Sequence, residues 1–214
     1  MGFHLSLFKT CVATEWQLFI RGAIDVVISS MAIIVTASIQ FVVAVFIKLT
    51  SKGPVFFKQL RAGLNGRKFT LYKFRTMYQG ADKERFELEA KNEMNGPVFK
   101  IKNDPRITRI GKILRKFSID EVPQLYNVFV GQMSLIGPRA LATYEVKKFE
   151  LWQRRRLSMR PGITCSWQVN GRNKLDFEEW MKLDLEYLDN WSLWLDFKIL
   201  IKTIPVVMFG IGAY

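Results

Sequence analysis

Asp120 and Glu121 stand side by side in the segment Ser118–Arg139, within a 214-residue chain of formal net charge +13. Adjacent carboxylates in so basic a chain suit chemistry on anions, where cations neutralise phosphate oxygens while a carboxylate reacts. As a nucleophile, Asp120 would attack a phosphoryl group and form an aspartyl-phosphate, dividing one hard transfer into two easier ones. Lys73, Arg75, Arg115, Arg139 and Arg172 are the candidate cations, and Mg²⁺ would be shared between Asp120 and a diphosphate. Gly137-Pro138 stiffens the backbone just before Arg139. Each cation taken alone also reads as an ordinary surface charge.

A purely structural explanation of the acidic pair competes with this one. Ser118 and Glu121 fit the S-x-x-E capping box, and both acids would then sit favourably in a first helical turn. Pro123 disturbs that arrangement, because its missing N–H removes an early helical bond. The helix would instead begin nearer Val122 with Pro123 at its first position, leaving the pair at a junction, free to face a cleft.

The remaining composition narrows the chemistry. His4 is the only histidine, which excludes a His-based triad or a His-rich zinc site. Cys11 and Cys165 lie far apart and form no metal or redox motif. A pI near 9.9 points to anionic partners: nucleic acid, acidic lipid headgroups or phosphorylated small molecules.

The elements that must position these residues divide the chain in two, residues 1–50 and 51–214. Val26 to Ile47 carries no charge and is dominated by Val, Ile, Ala and Phe. At ~1.5 Å per residue its length approximates one hydrocarbon core. Ser29, Ser30, Thr36, Ser38 and Gln40 make its middle polar, and basic residues flank both ends, Lys9 and Arg21 before, Lys48, Lys52, Lys58 and Arg61 after. The positive-inside rule then favours a re-entrant hairpin, while length alone suits a span; both arrangements stay open.

In the second part, Val55–Leu60 and Lys68–Arg75 read as strands of a hairpin turning at Asn65-Gly66. Phe69, Leu71, Lys73 and Arg75 share a face that starts apolar and ends basic. The pattern predicts an exposed helix over Ala81–Met94, a short strand over Val98–Ile101, an amphipathic helix over Ile107–Phe117 and a basic helix over Glu145–Met159. Phe177–Phe209, rich in Trp and interrupted by Pro205, suits either a membrane interface or a packed core.

These residues together resemble the bacterial polyprenyl-phosphate sugar-1-phosphate transferases of the monotopic type. The resemblance covers roughly Asp25 to Phe209. It rests on Phe57-Lys58-Gln59 with Arg61 and Gly63, Lys73 to Met77, Asp104-Pro105-Arg106 with Gly111, and Arg115 to Glu121. Further along come Met133-Ser134 with Gly137-Pro138-Arg139, Arg160 to Thr164, Trp167-Gln168-Val169 and Gly171-Arg172. Departures are Ser38-Ile39 where members have Ser-Pro, Ala140 where Pro usually follows Gly-Pro-Arg, and Cys165-Ser166 near the substrate loop.

The resemblance implies an α+β, mostly helical fold: a re-entrant membrane helix and a small cytoplasmic catalytic domain with a β-hairpin and amphipathic interfacial helices. It implies Asp120 as nucleophile with Glu121 as partner, Mg²⁺ dependence, and ping-pong transfer of a sugar 1-phosphate, of hexose type by the length of the insert before Asp104, from a UDP-sugar to undecaprenyl phosphate. UMP would leave at the cytoplasmic face of the bacterial inner membrane, in the first membrane step of exopolysaccharide, capsule or O-antigen assembly. Anionic membrane lipids are expected partners, a homodimer is a candidate assembly, and nucleic acid is not expected. The competing class is a non-catalytic membrane-anchored scaffold or anionic-lipid binder of the same fold.

Overall fold

The computed structural model describes residues 14–85, 87–171 and 175–212. The apolar segment forms one helix, α1 (Glu15–Thr50), whose 36 residues extend past the uncharged run at both ends. Thr14 caps it reciprocally: the Gln17 N–H donates to Thr14 Oγ1 and the Thr14 N–H to Gln17 Oε1. Helical backbone continues through Ser38-Ile39. Ser30 and Thr36 donate to the carbonyls of Val26 and Ala32, and Gln40 donates to Thr36, so these polar side chains are satisfied within the helix.

One stripe of α1 faces protein: Arg21, Asp25, Ser29, Val43 and Ile47 are buried. Elsewhere on it Ile34, Val35, Phe41 and Leu49 are 71–78% exposed, an apolar face suited to lipid. Both ends of the stripe are held by the same domain. Arg21 pairs with Asp196 at 3.1 Å, and Asp25 accepts from Ser134 Oγ at 2.7 Å and the Leu135 N–H at 3.0 Å. Towards the other end, Val43 and Ile47 pack with Phe74 and Leu114. The helix therefore lies along the domain instead of projecting from it.

The predicted hairpin is present. β1 (Phe56–Ala62) pairs antiparallel with β2 (Lys68–Phe74), from Phe56↔Phe74 to Ala62↔Lys68. The connection turns through left-handed Asn65 and Gly66, as the Asn-Gly pair predicts. On β2, Phe69 and Leu71 enter the main core, and Lys73 continues their face towards the site.

Ala81–Met94 is not the expected helix. It forms two 3₁₀ turns, Lys83–Arg85 and Glu89–Lys91, and Val98–Ile101 forms no strand. The stretch has no apolar stripe to bury, and the Asn92 amide binds the backbone of Met94, Val98 and Lys100, competing with regular structure. The next helix appears as α2 (Arg109–Lys116), capped by Thr108 accepting from the Gly111 N–H.

After α3 (Gln124–Phe129) and β3 (Ser134–Ile136), the basic helix expected over Glu145–Met159 is broken. It becomes α4 (Thr143–Val146), α5 (Leu151–Arg154) and a 3₁₀ turn, Arg155–Ser158. Phe149 drops into the core between the pieces, and Arg156 turns inward to Asp184 in place of joining a solvated face. β4 (Gly162–Thr164) pairs parallel with β3, which sequence patterning did not foresee, since three residues carry no alternation signal.

The chain closes with α6 (Ser166–Val169), α7 (Phe177–Asp189) and α8 (Leu193–Met208). α8 runs through Pro205, where an interruption was expected. The tryptophans divide between the two readings: Trp180 and Trp191 are core, whereas Trp194 is exposed with Lys198 over its ring. Trp194, Phe197, Ile201, Ile204 and Met208 give α8 an exposed apolar face of its own.

Candidate active site

Asp120 and Glu121 occupy a single 3₁₀ turn, Ile119–Glu121, between α2 and α3. Ser118 enters it in the left-handed region, φ 56°, and makes no capping bond, so the capping box does not form. Pro123, at φ −61° directly before Gln124, starts α3 as the second reading of the sequence required. The acids thus sit at a junction lining a cleft of about 800 Å³. Lys73, Arg75, Arg115 and Arg139 line the same cleft, so four of the five predicted cations meet the acidic pair there. Arg172 lies outside the described residues.

The four cations do different things. Lys73 Nζ donates to Glu121 Oε1 at 2.6 Å, and Arg139 Nη2 donates to the same oxygen at 2.8 Å. Arg115 Nε donates to Thr76 Oγ1 at 2.9 Å, which aims its guanidinium at the cleft beside Asp120. Arg75 turns to the end of α1, donating to Ser51 O and Oγ, while its buried Nε and Nη1 find no partner among the described residues. Buried donors left unsatisfied are costly.

The electrostatics separate the two acids. Burial pulls the Glu121 carboxyl upward, but the Arg139 guanidinium and Lys73 ammonium outweigh it and hold the group well below the usual carboxylate range. Burial raises Asp120, and the neighbouring Glu121 charge adds to this; Lys73, Arg115 and Arg139 offset only part of it. No hydrogen bond from a described residue reaches the Asp120 carboxylate. Glu121 is a clamp on two cations; Asp120 carries no such clamp.

Backbone close approach fixes Arg139. A Cβ on Gly162 would meet Gly137 N at 2.1 Å, and one on Gly137 would meet Arg160 O at 2.5 Å. The Gly-Pro-Arg and Arg-Pro-Gly segments can touch only because glycine stands at both crossings. Arg156 Nη2 then donates to the Arg139 carbonyl at 2.9 Å while its guanidinium pairs with Asp184 at 2.5 Å.

Residues beyond the predicted set also shape the cleft. Arg61 lines it and donates to the Ala140 carbonyl; only its place in the Phe57–Gly63 motif hinted at this, since by charge it read as a flank of the apolar segment. Thr76 was marked in the same way, by its place in the Lys73–Met77 motif, whereas the Arg156–Asp184 pair carries no such signal because its partners lie 28 residues apart. The Asp104-Pro105-Arg106 motif also reaches the cleft: Asp104 and Arg106 line it as a buried 2.6 Å pair, and Arg106 donates to the Ala81 carbonyl.

No group of three His, Cys, Asp or Glu able to hold a metal occurs among the described residues. The donor set fits Mg²⁺ only where substrate phosphates complete the shell, since Mg²⁺ is commonly bound by one or two carboxylates plus phosphate oxygens. Asp120, whose carboxylate takes no hydrogen bond from a described residue, is the cleft acid that could contribute the protein oxygen.

The model of the family described as bacterial sugar transferase matches residues 16–210, the hairpin, the acidic turn and the helices around them. The chain belongs to the bacterial sugar transferase family. The galactosyl transferase CpsE of Streptococcus agalactiae is 51% identical over 162 residues, 75% of this chain and 36% of that protein. The undecaprenyl-phosphate galactose phosphotransferase of Salmonella typhimurium is 38% identical over 205 residues, 92% of this chain and 42% of that protein. The exopolysaccharide production protein ExoY of Rhizobium meliloti is 36% identical over 199 residues, 91% of this chain and 88% of that protein. The chain thus spans well under half of the first two relatives and nearly all of ExoY. The α+β fold, mostly helical with a long apolar N-terminal helix, is the one expected of this family from the sequence.

Proposed function

We propose that this family member transfers a sugar 1-phosphate from a UDP-sugar to undecaprenyl phosphate. The observation that carries the reading is the contrast within the acidic turn: Glu121 holds Lys73 and Arg139, while Asp120 lines the cleft with no hydrogen-bond partner among the described residues. A buried carboxylate short of stabilising contacts is a stronger nucleophile than a solvated one.

In the first step an Asp120 carboxylate oxygen bonds to the phosphorus that bears the sugar. The bond from that phosphorus to the bridging oxygen breaks, and UMP leaves with the electron pair. In the second step a phosphate oxygen of undecaprenyl phosphate attacks the same phosphorus and displaces the Asp120 carboxylate, giving a lipid diphosphate sugar. Lys73, Arg115 and Arg139 offset the charge that gathers on the phosphoryl oxygens, and Arg61 and Arg75 extend the positive wall. Mg²⁺, held by Asp120 and the donor diphosphate, would supply further charge neutralisation.

The names of relatives support the acceptor and the sugar class. One is an undecaprenyl-phosphate galactose phosphotransferase, and another, from Komagataeibacter xylinus, is an undecaprenyl-phosphate glucose phosphotransferase. A hexose is therefore the proposed sugar, and assembly of an exported polysaccharide the proposed setting. The outward apolar faces of α1 and α8 favour a membrane seat, with the unbroken α1 lying along the domain that holds both its ends. On this reading the cleft opens at the cytoplasmic face of the inner membrane, where UDP-sugars are found. Incubating the protein in nanodiscs with UDP-galactose or UDP-glucose and measuring UMP release and lipid-linked product tests the proposal; absence of both across a panel of UDP-sugars contradicts it.

A further inference from the structure

A second cavity, of about 370 Å³, lies behind the acidic turn, between the middle of α1 and the last turns of α8. Its walls are almost wholly apolar, with Ile119, Leu125, Ile163 and Val206 among them. The polar side chains on α1 do not wet it, because Thr36 and Gln40 are bonded to Ala32 and to each other. Thr164 and Thr203 likewise share a hydrogen bond across β4 and α8. A cavity of this kind stays dry and takes apolar groups.

Three residues, Ser118, Glu121 and Gln168, line both this cavity and the catalytic cleft. The cations are all on the cleft side: Lys73, Arg115 and Arg139 line the cleft and none lines the apolar cavity. At the other edge Ile39, half exposed on α1, opens the cavity to the outward apolar face of that helix. A ligand that passes across this boundary must be anionic at one end and apolar from the next atoms onward. Such a ligand would place its phosphate among the cations beside Asp120 and its tail towards the lipid.

We infer that the cavity receives the phosphate-proximal isoprene units of the acceptor lipid and so selects a prenyl phosphate at its head end. The inference rests on the acceptor proposed above. The remaining isoprene units leave past Ile39 into the membrane, since the volume holds only the start of so long a chain. Val206, on the wall contributed by α8 and remote from the acidic turn in sequence, is the residue through which tail fit can be altered without touching the chemistry.

The test uses the full chain in nanodiscs with Val206→Trp, which fills the cavity, and Val206→Met as a milder filling. Each is measured with donor alone, for UMP release, and then with undecaprenyl phosphate or farnesyl phosphate as acceptor. The expected result is donor-only UMP release like that of the unaltered protein, with KM raised roughly tenfold or more for both acceptors, and less for Met than for Trp. Donor-only release also shows that each variant is folded. An unchanged acceptor KM, or a rise confined to undecaprenyl phosphate, overturns the inference, the latter because the cavity would then hold distal units or a bulk lipid chain. If the unaltered protein releases no UMP and uses neither acceptor, it is the proposed function that fails, and not this site.

Discussion

Lys73 and Arg139 reach the same oxygen of Glu121, at 2.6 and 2.8 Å, from strands and loops 48 and 18 residues away in sequence. One carboxylate therefore sets the spacing of two cations on the cleft wall. Glu121→Gln keeps the shape and removes the charge, leaving both cations without their counter-ion. UMP release is expected to fall by about 10²-fold or more. Unfolding in denaturant should show a loss of about 3–5 kcal/mol, as for other broken buried pairs. A variant with near-normal turnover would show that Glu121 does not organise the site.

Asp120 and Glu121 should respond to pH in opposite senses. Glu121 has a depressed folded-state pKa, so its contribution to stability is present above the ordinary glutamate value of about 4.3 and is lost as pH falls below it. Asp120 has a raised one, so the folded protein favours its proton, and that contribution is lost as pH rises through the raised value. At neutral pH the Asp120 charge thus costs stability. Asp120→Asn should raise the midpoint of thermal unfolding by on the order of a few °C at pH 7, with the gain shrinking as pH falls. A lowered midpoint at pH 7 would contradict the assignment of Asp120 as the strained acid.

Arg156 and Asp184 are only 2% and 1% exposed at their side chains, and Arg156 also holds the Arg139 carbonyl. Arg156→Met leaves Asp184 buried and unpaired, at a cost of about 3–5 kcal/mol in chemical denaturation. Activity should fall as well, through Arg139, and KM for the UDP-sugar should rise. Asp184→Asn, which leaves the Arg156 bond to Arg139 in place, should be destabilised with a smaller change in KM.

Gly162→Ala tests the crossing of the two glycine segments. The added Cβ would overlap Gly137 N at 2.1 Å, and backbone cannot rotate away as a side chain would. A loss of about 1–3 kcal/mol or more is expected, with activity reduced because Arg139 moves. Unchanged stability would show that the two segments are not pressed together.

The site was more legible in the sequence than the fold around it. Asp120, Glu121, Lys73 and Arg139 could be singled out because carboxylates and cations in ordered motifs carry chemistry in their residue types. The hairpin was legible because Asn65-Gly66 marks its turn and Phe69 and Leu71 alternate. The helix expected over Ala81–Met94 failed because charge density alone does not supply a face to bury. The helix over Glu145–Met159 failed for a different reason: Arg156 is drawn into the core by Asp184, a partner 28 residues further on. The same distance in sequence hid the β3–β4 pairing. For α1, composition gave the length, but only the contacts of Arg21, Asp25, Val43 and Ile47 show both ends on one domain.

The central claim is that Asp120 carries the sugar phosphate between donor and acceptor. Incubation of the protein with UDP-sugar alone, followed by intact-mass and peptide analysis, addresses it most directly. The account predicts release of UMP without acceptor and a hexose-phosphate adduct on the peptide bearing Asp120. Both should be lost in Asp120→Asn while membrane association persists. UMP release by Asp120→Asn at the rate of the unaltered protein, or continued polysaccharide assembly with that variant, would contradict the account and favour a non-nucleophilic role for the acidic turn.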